Sequence, residues 1–533
     1  MSRHDDDRDI AAVTFDHADD SLVVIIGSGA GGGTLANELC QKGIDVVIIE
    51  AGKRIEMDDF VNDEDVMGRM LLWGDPRKGA GSRESTTQFP DNPNWMCKAV
   101  GGTTVHWTGT CPRIKDTEFK ARSTYGAIEG TSLMDWPISL EDIEPYYDRS
   151  ETKMGVAGTG GRPWLPGNNN YKVMAAGAKR IGYTEYHTGT HAINAVPYDG
   201  RNACDQIGFC MQGCKSGAKW STLYTEIPKA EATGRCEVRS QCMALQVQHD
   251  DTGKVSGVVY ADRDGDHHLQ KARIVCVAGN SVETPRLLLN SESSTYPDGL
   301  ANSSGQVGKN YMTHVEGAVY GVFDQPVNWH RGRTVSGTIR DESYHKPERG
   351  FVGGYYFLTI ALGLRDYALA LRHDGWGSAY TSWLDAYEHT AGVYILGEDM
   401  PIENNRVYLH PTDKDHHGLP IPVCHLDNHP NDRLIRNHGL KQCTAMWDAM
   451  GAKRLHEWSA FPSGHNLGTC RMSDDSQTGV VNKFGQSHDI ANLFVSDGSQ
   501  FTTSAAANPT LTIVALAIRQ AEYIADQMRG NEI

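Results

Sequence analysis

VVIIGSGAGGGTLANELCQKGIDVVIIEAG, residues 23–52, decides the fold. An apolar run over Leu22–Ile26 ends in glycines, a helix-forming stretch follows from Thr34 to Lys42, and a second apolar run covers Val46–Ile49. Strand, glycine turn, helix and strand make a βαβ unit with a parallel pair of strands. Gly27, Gly29 and Gly32 give GxGxxG directly after the first strand. The first glycine permits the tight turn, the second lets a pyrophosphate approach the backbone at a helix N-terminus, and the third allows close helix–strand packing. Glu50 ends the second strand, where an acid can accept hydrogen bonds from ribose hydroxyls. The expectation is a dinucleotide site; a tight turn without a ligand is the bland alternative. The motif alone does not separate nicotinamide from flavin.

Working outward, ARIVCVAGNSVETPRLLL (272–289) repeats the strand–turn–helix pattern, and Asn508 to Met528 reads as one long amphipathic helix. Nucleotide-type pieces at both ends imply a domain discontinuous in sequence, residues 21–310 plus 460–533. Residues 311–459, aromatic-rich and without a nucleotide motif, are expected to form a second, substrate domain. Between about 236 and 278 apolar residues alternate around a turn at Asp250–Gly253, as in antiparallel strands. Ser139 and the acidic residues after it suit the start of a helix. Residues 74–94 read as loop and 1–20, polar and acidic, as a flexible tail.

The 533 residues are 39% apolar and 22% charged, with a formal charge of −17. This is the composition of an ordinary globular chain, and an acidic surface repels nucleic acid and anionic membrane. No apolar run reaches the length of a membrane-spanning helix, and the first twenty residues have neither the basic nor the apolar region of a signal peptide. Of twelve cysteines, Cys204, Cys210 and Cys214 are clustered as CxxxxxCxxxC. Thiolates hold zinc and iron–sulfur clusters, but structural zinc favours CxxC pairs and four ligands. A cluster site, a disulfide plus a spare thiol, and three unrelated thiols all remain open on spacing alone.

Five segments in order resemble the glucose–methanol–choline family of flavin oxidoreductases: residues 23–52, DWPISLEDIEPYY (135–147), VAGNSVETPRLLLNS (277–291), HNLGTCRM (465–472) and NLFVSDGSQFTTSAAANPTLTIVALA (492–517). AVGGTTVHWTG (99–109) and CDQIGFCMQGC (204–214) are most similar to the large subunits of bacterial glucose, fructose and gluconate dehydrogenases.

The resemblance implies an α/β, Rossmann-like FAD-binding domain with a second domain on an antiparallel sheet. It implies hydride transfer from a CH–OH group of a sugar, polyol or related cyclic alcohol to the flavin. His465 stands where the family has its base, and imidazole titrates near working pH. Asn508 stands where an amide orients the substrate oxygen, although Asn508-Pro509 also suits a helix start; Asn466 is a second candidate. Gly101, Gly102 and Thr103 are expected around the isoalloxazine, with Asp497 and Gly498 also contacting flavin. In similar enzymes the histidine matching His106 bonds covalently to the flavin; packing against the ring is the alternative. The resemblance further implies a [3Fe-4S] cluster on Cys204, Cys210 and Cys214, and a small subunit whose twin-arginine signal exports both chains to the periplasm. A cytochrome c or quinone would take the electrons. A stand-alone, oxygen-reducing oxidase, a non-catalytic dinucleotide-binding protein and a cytoplasmic location are the alternatives.

Overall fold

In a computed structural model describing residues 13–370, 376–458 and 462–533, β1 (Val23–Ile26), α1 (Ala30–Cys40) and β2 (Val46–Ile49) form the expected unit. β1 is the centre of a five-stranded, wholly parallel sheet with spatial order Leu493–Val495, Ile274–Val277, β1, β2, Cys236–Arg239. Such a sheet must be covered on both faces, and its side chains divide accordingly. Val23, Ile25, Val46 and Ile48 pack with Leu35 and Leu39 of α1 and Ala517, Ala521 and Ile524 of the terminal helix Thr510–Arg529. Val24, Ile26, Val47 and Ile49 join the core on the opposite face.

The turn after β1 needs glycine. Gly27 has φ +97°, and a Cβ there would lie 2.5 Å from the Ala278 carbonyl oxygen. At Gly32 a Cβ would come within 2.0 Å of the Gly27 carbonyl oxygen, so helix and turn meet backbone to backbone.

A six-stranded antiparallel sheet forms the second layer, in the order Arg454–Trp458, Val315–Val322, Thr390–Gly397, Tyr355–Thr359, Thr338–Ile339, Tyr186–His187. The last edge strand comes from outside 311–459, so the sheet draws on more of the chain than that segment. Ser139 caps the helix Leu140–Met154 through a reciprocal box with Asp142.

Three expectations are corrected. Only Met243–His249, Val255–Ala261 and His267–Lys271 form the antiparallel meander; Ile274–Val277, fully buried, and Cys236–Arg239, a partly exposed edge strand, join the parallel sheet. Residues 13–20 are tied down and do not form a free tail. Phe15 N–H donates to Glu237 (2.7 Å), Arg239 donates to the Phe15 carbonyl, and the His17 ring contacts the Tyr260 hydroxyl (2.8 Å); residues 1–12 of the expected tail lie outside the described residues. Within 74–94, Lys78–Ala80 pairs with Pro420–His425 and Glu84–Gln88 is helical. Arg83 anchors this segment with a two-pronged bond to Asp399 (2.6 and 2.7 Å) and one to Thr313 Oγ1 (2.8 Å).

Among the described residues no helix is long and apolar enough to cross a membrane. Removing one partner of a buried ion pair leaves the other charge uncompensated, at a cost of about 3–5 kcal/mol. Arg83→Leu is therefore expected to destabilise the protein by about that amount in denaturant unfolding; a variant as stable as the parent would contradict the role given to this pair.

Candidate active site

A cleft of about 260 Å³ opens at the carboxyl ends of β1, β2 and Ile274–Val277, where open α/β sheets bind ligands. Gly27 and Gly29 line it beside Glu50, with Gly102, Thr103 and His106 on another wall. His465, Asp497, Gly498, Asn508 and Pro509 arrive from the C-terminal part of the chain. Gly32 and Gly101 stand behind the lining: Gly32 packs the turn, and Gly101 donates its N–H to Ser28 Oγ (2.9 Å). Both α1 and Thr510–Arg529 begin at the cleft without a side-chain cap. Their free N–H groups and positive dipole ends favour an anion.

Glu50 does more than face a ribose. Its carboxylate accepts the Ser28 N–H (3.0 Å), the Ser28 hydroxyl (2.6 Å) and the Gly52 N–H (2.7 Å). Of about four acceptor positions on a carboxylate, one remains for a ligand. Asp497 acts similarly, accepting from Asn280 N–H (2.8 Å), Thr284 Oγ1 (2.6 Å) and Ser499 N–H (2.8 Å). It joins the second glycine turn to the C-terminal signature.

His465 Nε2 lies 3.3 Å from Asn508 Nδ2. The Tyr356 hydroxyl donates to Asn508 Oδ1, which turns the amide nitrogen toward the imidazole. Asn508 is therefore not the side-chain cap that its place before Pro509 also allowed. On its other side the His465 ring meets His314, Nδ1 to Nδ1 at 3.1 Å. Burial, then His314, holds the His465 pKa well below its ordinary value. Asn466 also lines the cleft, but its Oδ1 accepts from Tyr311 and from Asn94 (3.0 Å), so that amide oxygen is already engaged.

His106 is 2% exposed and lines the cleft beside Trp95, ring centroids 4.6 Å apart. Neither of its ring nitrogens has a hydrogen-bond partner. Burial and then Lys219 depress its pKa to about 3, so the ring is neutral and keeps a free lone pair. An unsatisfied buried polar atom costs about 1–3 kcal/mol, which marks this imidazole as facing a missing group.

The aromatic residues on the cleft are Trp73, Trp95 and Trp107, all from outside 311–459. Trp329, Tyr355, Tyr367 and Trp383 of that segment fill the core of the second layer. Tyr356, His314 and Trp95 were not singled out as site residues by pattern. Tyr356 and His314 act through partners far away in the chain, and Trp95 through the nearby His106.

Cys204, Cys210 and Cys214 line one small cavity of about 30 Å³ with Lys219 and Arg333. All three are free, half-buried thiols. Among the described residues no three His, Cys, Asp or Glu side chains are placed to hold one metal ion. Lys219 Nζ donates to the carbonyls of Val105 (3.0 Å), Trp107 (2.7 Å) and Cys210 (2.5 Å). Arg333 donates to the carbonyls of Val335, Pro166 and Ser336. Two buried cations satisfied by neutral carbonyls leave a net positive field at the thiols, which suits an anionic occupant.

Comparison with known proteins agrees with this geometry. Family models described as GMC oxidoreductase match residues 78–316 and 401–517. The 2-methyl-1,2-propanediol dehydrogenase of Mycolicibacterium austroafricanum is 33% identical, over 95% of both chains. The fructose dehydrogenase large subunit of Gluconobacter japonicus is 28% identical over 95% of this chain and 98% of its own. Formate oxidase of Aspergillus oryzae shares the fold, with a TM-score of 0.67 at 15% identity over 96% of this chain and 100% of its own. The chain belongs to the GMC oxidoreductase family.

Proposed function

We propose that the chain is an FAD-dependent dehydrogenase oxidising a CH–OH group of a sugar, polyol or related cyclic alcohol. The supporting observation is the imidazole–amide pair His465–Asn508, 3.3 Å apart on a cleft that also carries the glycine turn and two uncapped helix ends. A substrate hydroxyl inserted between them would donate to His465 Nε2 and accept from Asn508 Nδ2. Tyr356 keeps the amide in the donating orientation. When bound, FAD accepts the hydride from the carbinol carbon. The chain's own part is to take the hydroxyl proton, orient the carbon and exclude water.

The orphaned nitrogens of His106 support covalent attachment to the flavin. The cavity holding Cys204, Cys210 and Cys214 is the place for a [3Fe-4S] cluster. A cluster is wider than one ion, so its thiolates stand further apart than the ligands of a single metal. The positive field of Lys219 and Arg333 would offset the charge of thiolates and sulfide. Likeness to a protein named as a large subunit supports a small-subunit partner, and with it export to the periplasm and delivery of electrons to a cytochrome c or quinone.

Four experiments test this reading. His465→Ala is expected to lower kcat/KM for the preferred alcohol by about 10²–10⁴ while the flavin spectrum stays intact; undiminished turnover would overturn it. Because the base must be neutral and its pKa is depressed, activity is lost only as pH falls through a value below the ordinary 6.5. The acid limb of the pH profile should lie there. Acid denaturation is expected to leave flavin on the parent chain and release it from His106→Ala; flavin freely extracted from the parent would reject the covalent link. The protein produced with its partner is expected to contain iron and acid-labile sulfide, lost in Cys210→Ser with FAD retained. Full activity in iron-free protein would favour the oxidase instead.

A further inference from the structure

Given His465 as the base proposed above, we infer that His314 is a proton relay that carries the substrate's hydroxyl proton from the cleft to a separate cavity behind it. The hydrogen bonds run in one direction. Tyr356 O–H donates to Asn508 Oδ1, and Asn508 N–H faces His465 Nε2. With Nε2 the acceptor, the neutral His465 ring carries its proton on Nδ1, which donates to His314 Nδ1 at 3.1 Å. His314 then carries its own proton on Nε2, a buried atom with no hydrogen-bond partner.

His314 does not line the cleft. It lines a second cavity of about 40 Å³, with Arg83, Glu316, Asp432 and the surface-exposed Arg433. One water needs about 10–15 Å³, so the cavity has room for water beside the His314 ring. The rings stand edge to face, centroids 4.9 Å apart, and His314 is held in place because Arg83 and Asp399 fix the neighbouring Thr313. Asp399 and Glu118 are the carboxylates whose charge reaches His314, and both favour its protonated form against burial.

The step balances without a co-reactant. The substrate O–H bond breaks and a proton is added at His465 Nε2, while the carbinol hydride leaves to FAD with its electron pair. His465 Nδ1–H passes to His314 Nδ1, and His314 Nε2–H passes to water in the second cavity. Afterwards His465 holds the new proton on Nε2, and a ring flip or proton return resets the pair. The relay explains why a buried base does not have to discharge through a cleft filled by cofactor and substrate.

The test uses the flavin-loaded protein in a single turnover, following flavin absorbance and a pH indicator together. His314→Asn can still accept from His465 Nδ1 but cannot pass a proton on; His314→Phe can do neither. In the parent, proton release should keep pace with flavin bleaching. In His314→Asn bleaching should persist, proton release should lag, kcat should fall by about 10² with a larger solvent isotope effect, and added imidazole should restore it. In resting protein labelled with 15N-histidine, the hydrogen-bonded Nδ1 proton of His465 should survive in His314→Asn and disappear in His314→Phe. Proton release in step with bleaching in His314→Asn, or loss of turnover that imidazole does not restore, overturns the relay. Failure of the parent to oxidise any alcohol would instead overturn the dehydrogenase reading itself.

Discussion

A buried carboxylate sets the geometry on which the rest depends. Glu50 is 5% exposed, and burial raises its pKa against the bonds that hold it charged. Such a group is tolerated only when its oxygens are satisfied. Both Ser28 donors and the Gly52 N–H supply that satisfaction. Ser28 in turn accepts from Gly101 N–H through its hydroxyl and from Thr222 Oγ1 (2.9 Å) through its carbonyl. One side chain at the end of β2 therefore locks the glycine turn after β1 to the loop that presents Thr103 and His106. Loss of this knot would leave the cleft with walls but no fixed distance between them.

Much of the fold was legible because its determinants are local. The continuous apolar runs at Val23–Ile26 and Val46–Ile49, the glycines forced by backbone contact at Gly27 and Gly32, and the capping serine at Ser139 each act within a few residues. The same holds for His465 and Asn508 as candidates, since they sit in recognisable stretches. What pattern did not disclose is long-range. Tyr356 reaches Asn508 across 152 positions and His314 reaches His465 across 151. The alternation near 236–278 was misread at its two ends because a strand of four residues is too short for its pattern to tell parallel from antiparallel company. Trp329, Tyr355, Tyr367 and Trp383 of 311–459 are packing, and of the tryptophans on the cleft only Trp107 lies in a quoted motif.

Two small cavities lie apart from the main cleft. One is lined by thiols and cations, the other by an imidazole with arginines and carboxylates together. Lys219 belongs to both the cysteine loop and the His106 loop, because its ammonium bonds the carbonyls on either side of His106 as well as that of Cys210. A shift in one loop must therefore be felt by the other.

The order of strands in the parallel sheet also bears on biosynthesis. Its edge strand Leu493–Val495 pairs with Ile274–Val277, and both His465 and Asn508 lie near the same late stretch of chain. A nascent polypeptide on the ribosome therefore holds the glycine turn long before it gains His465 and Asn508, and meanwhile exposes an unpaired strand edge open to misassociation. Chaperone demand should be concentrated in that interval, and an interrupted translation product is inert.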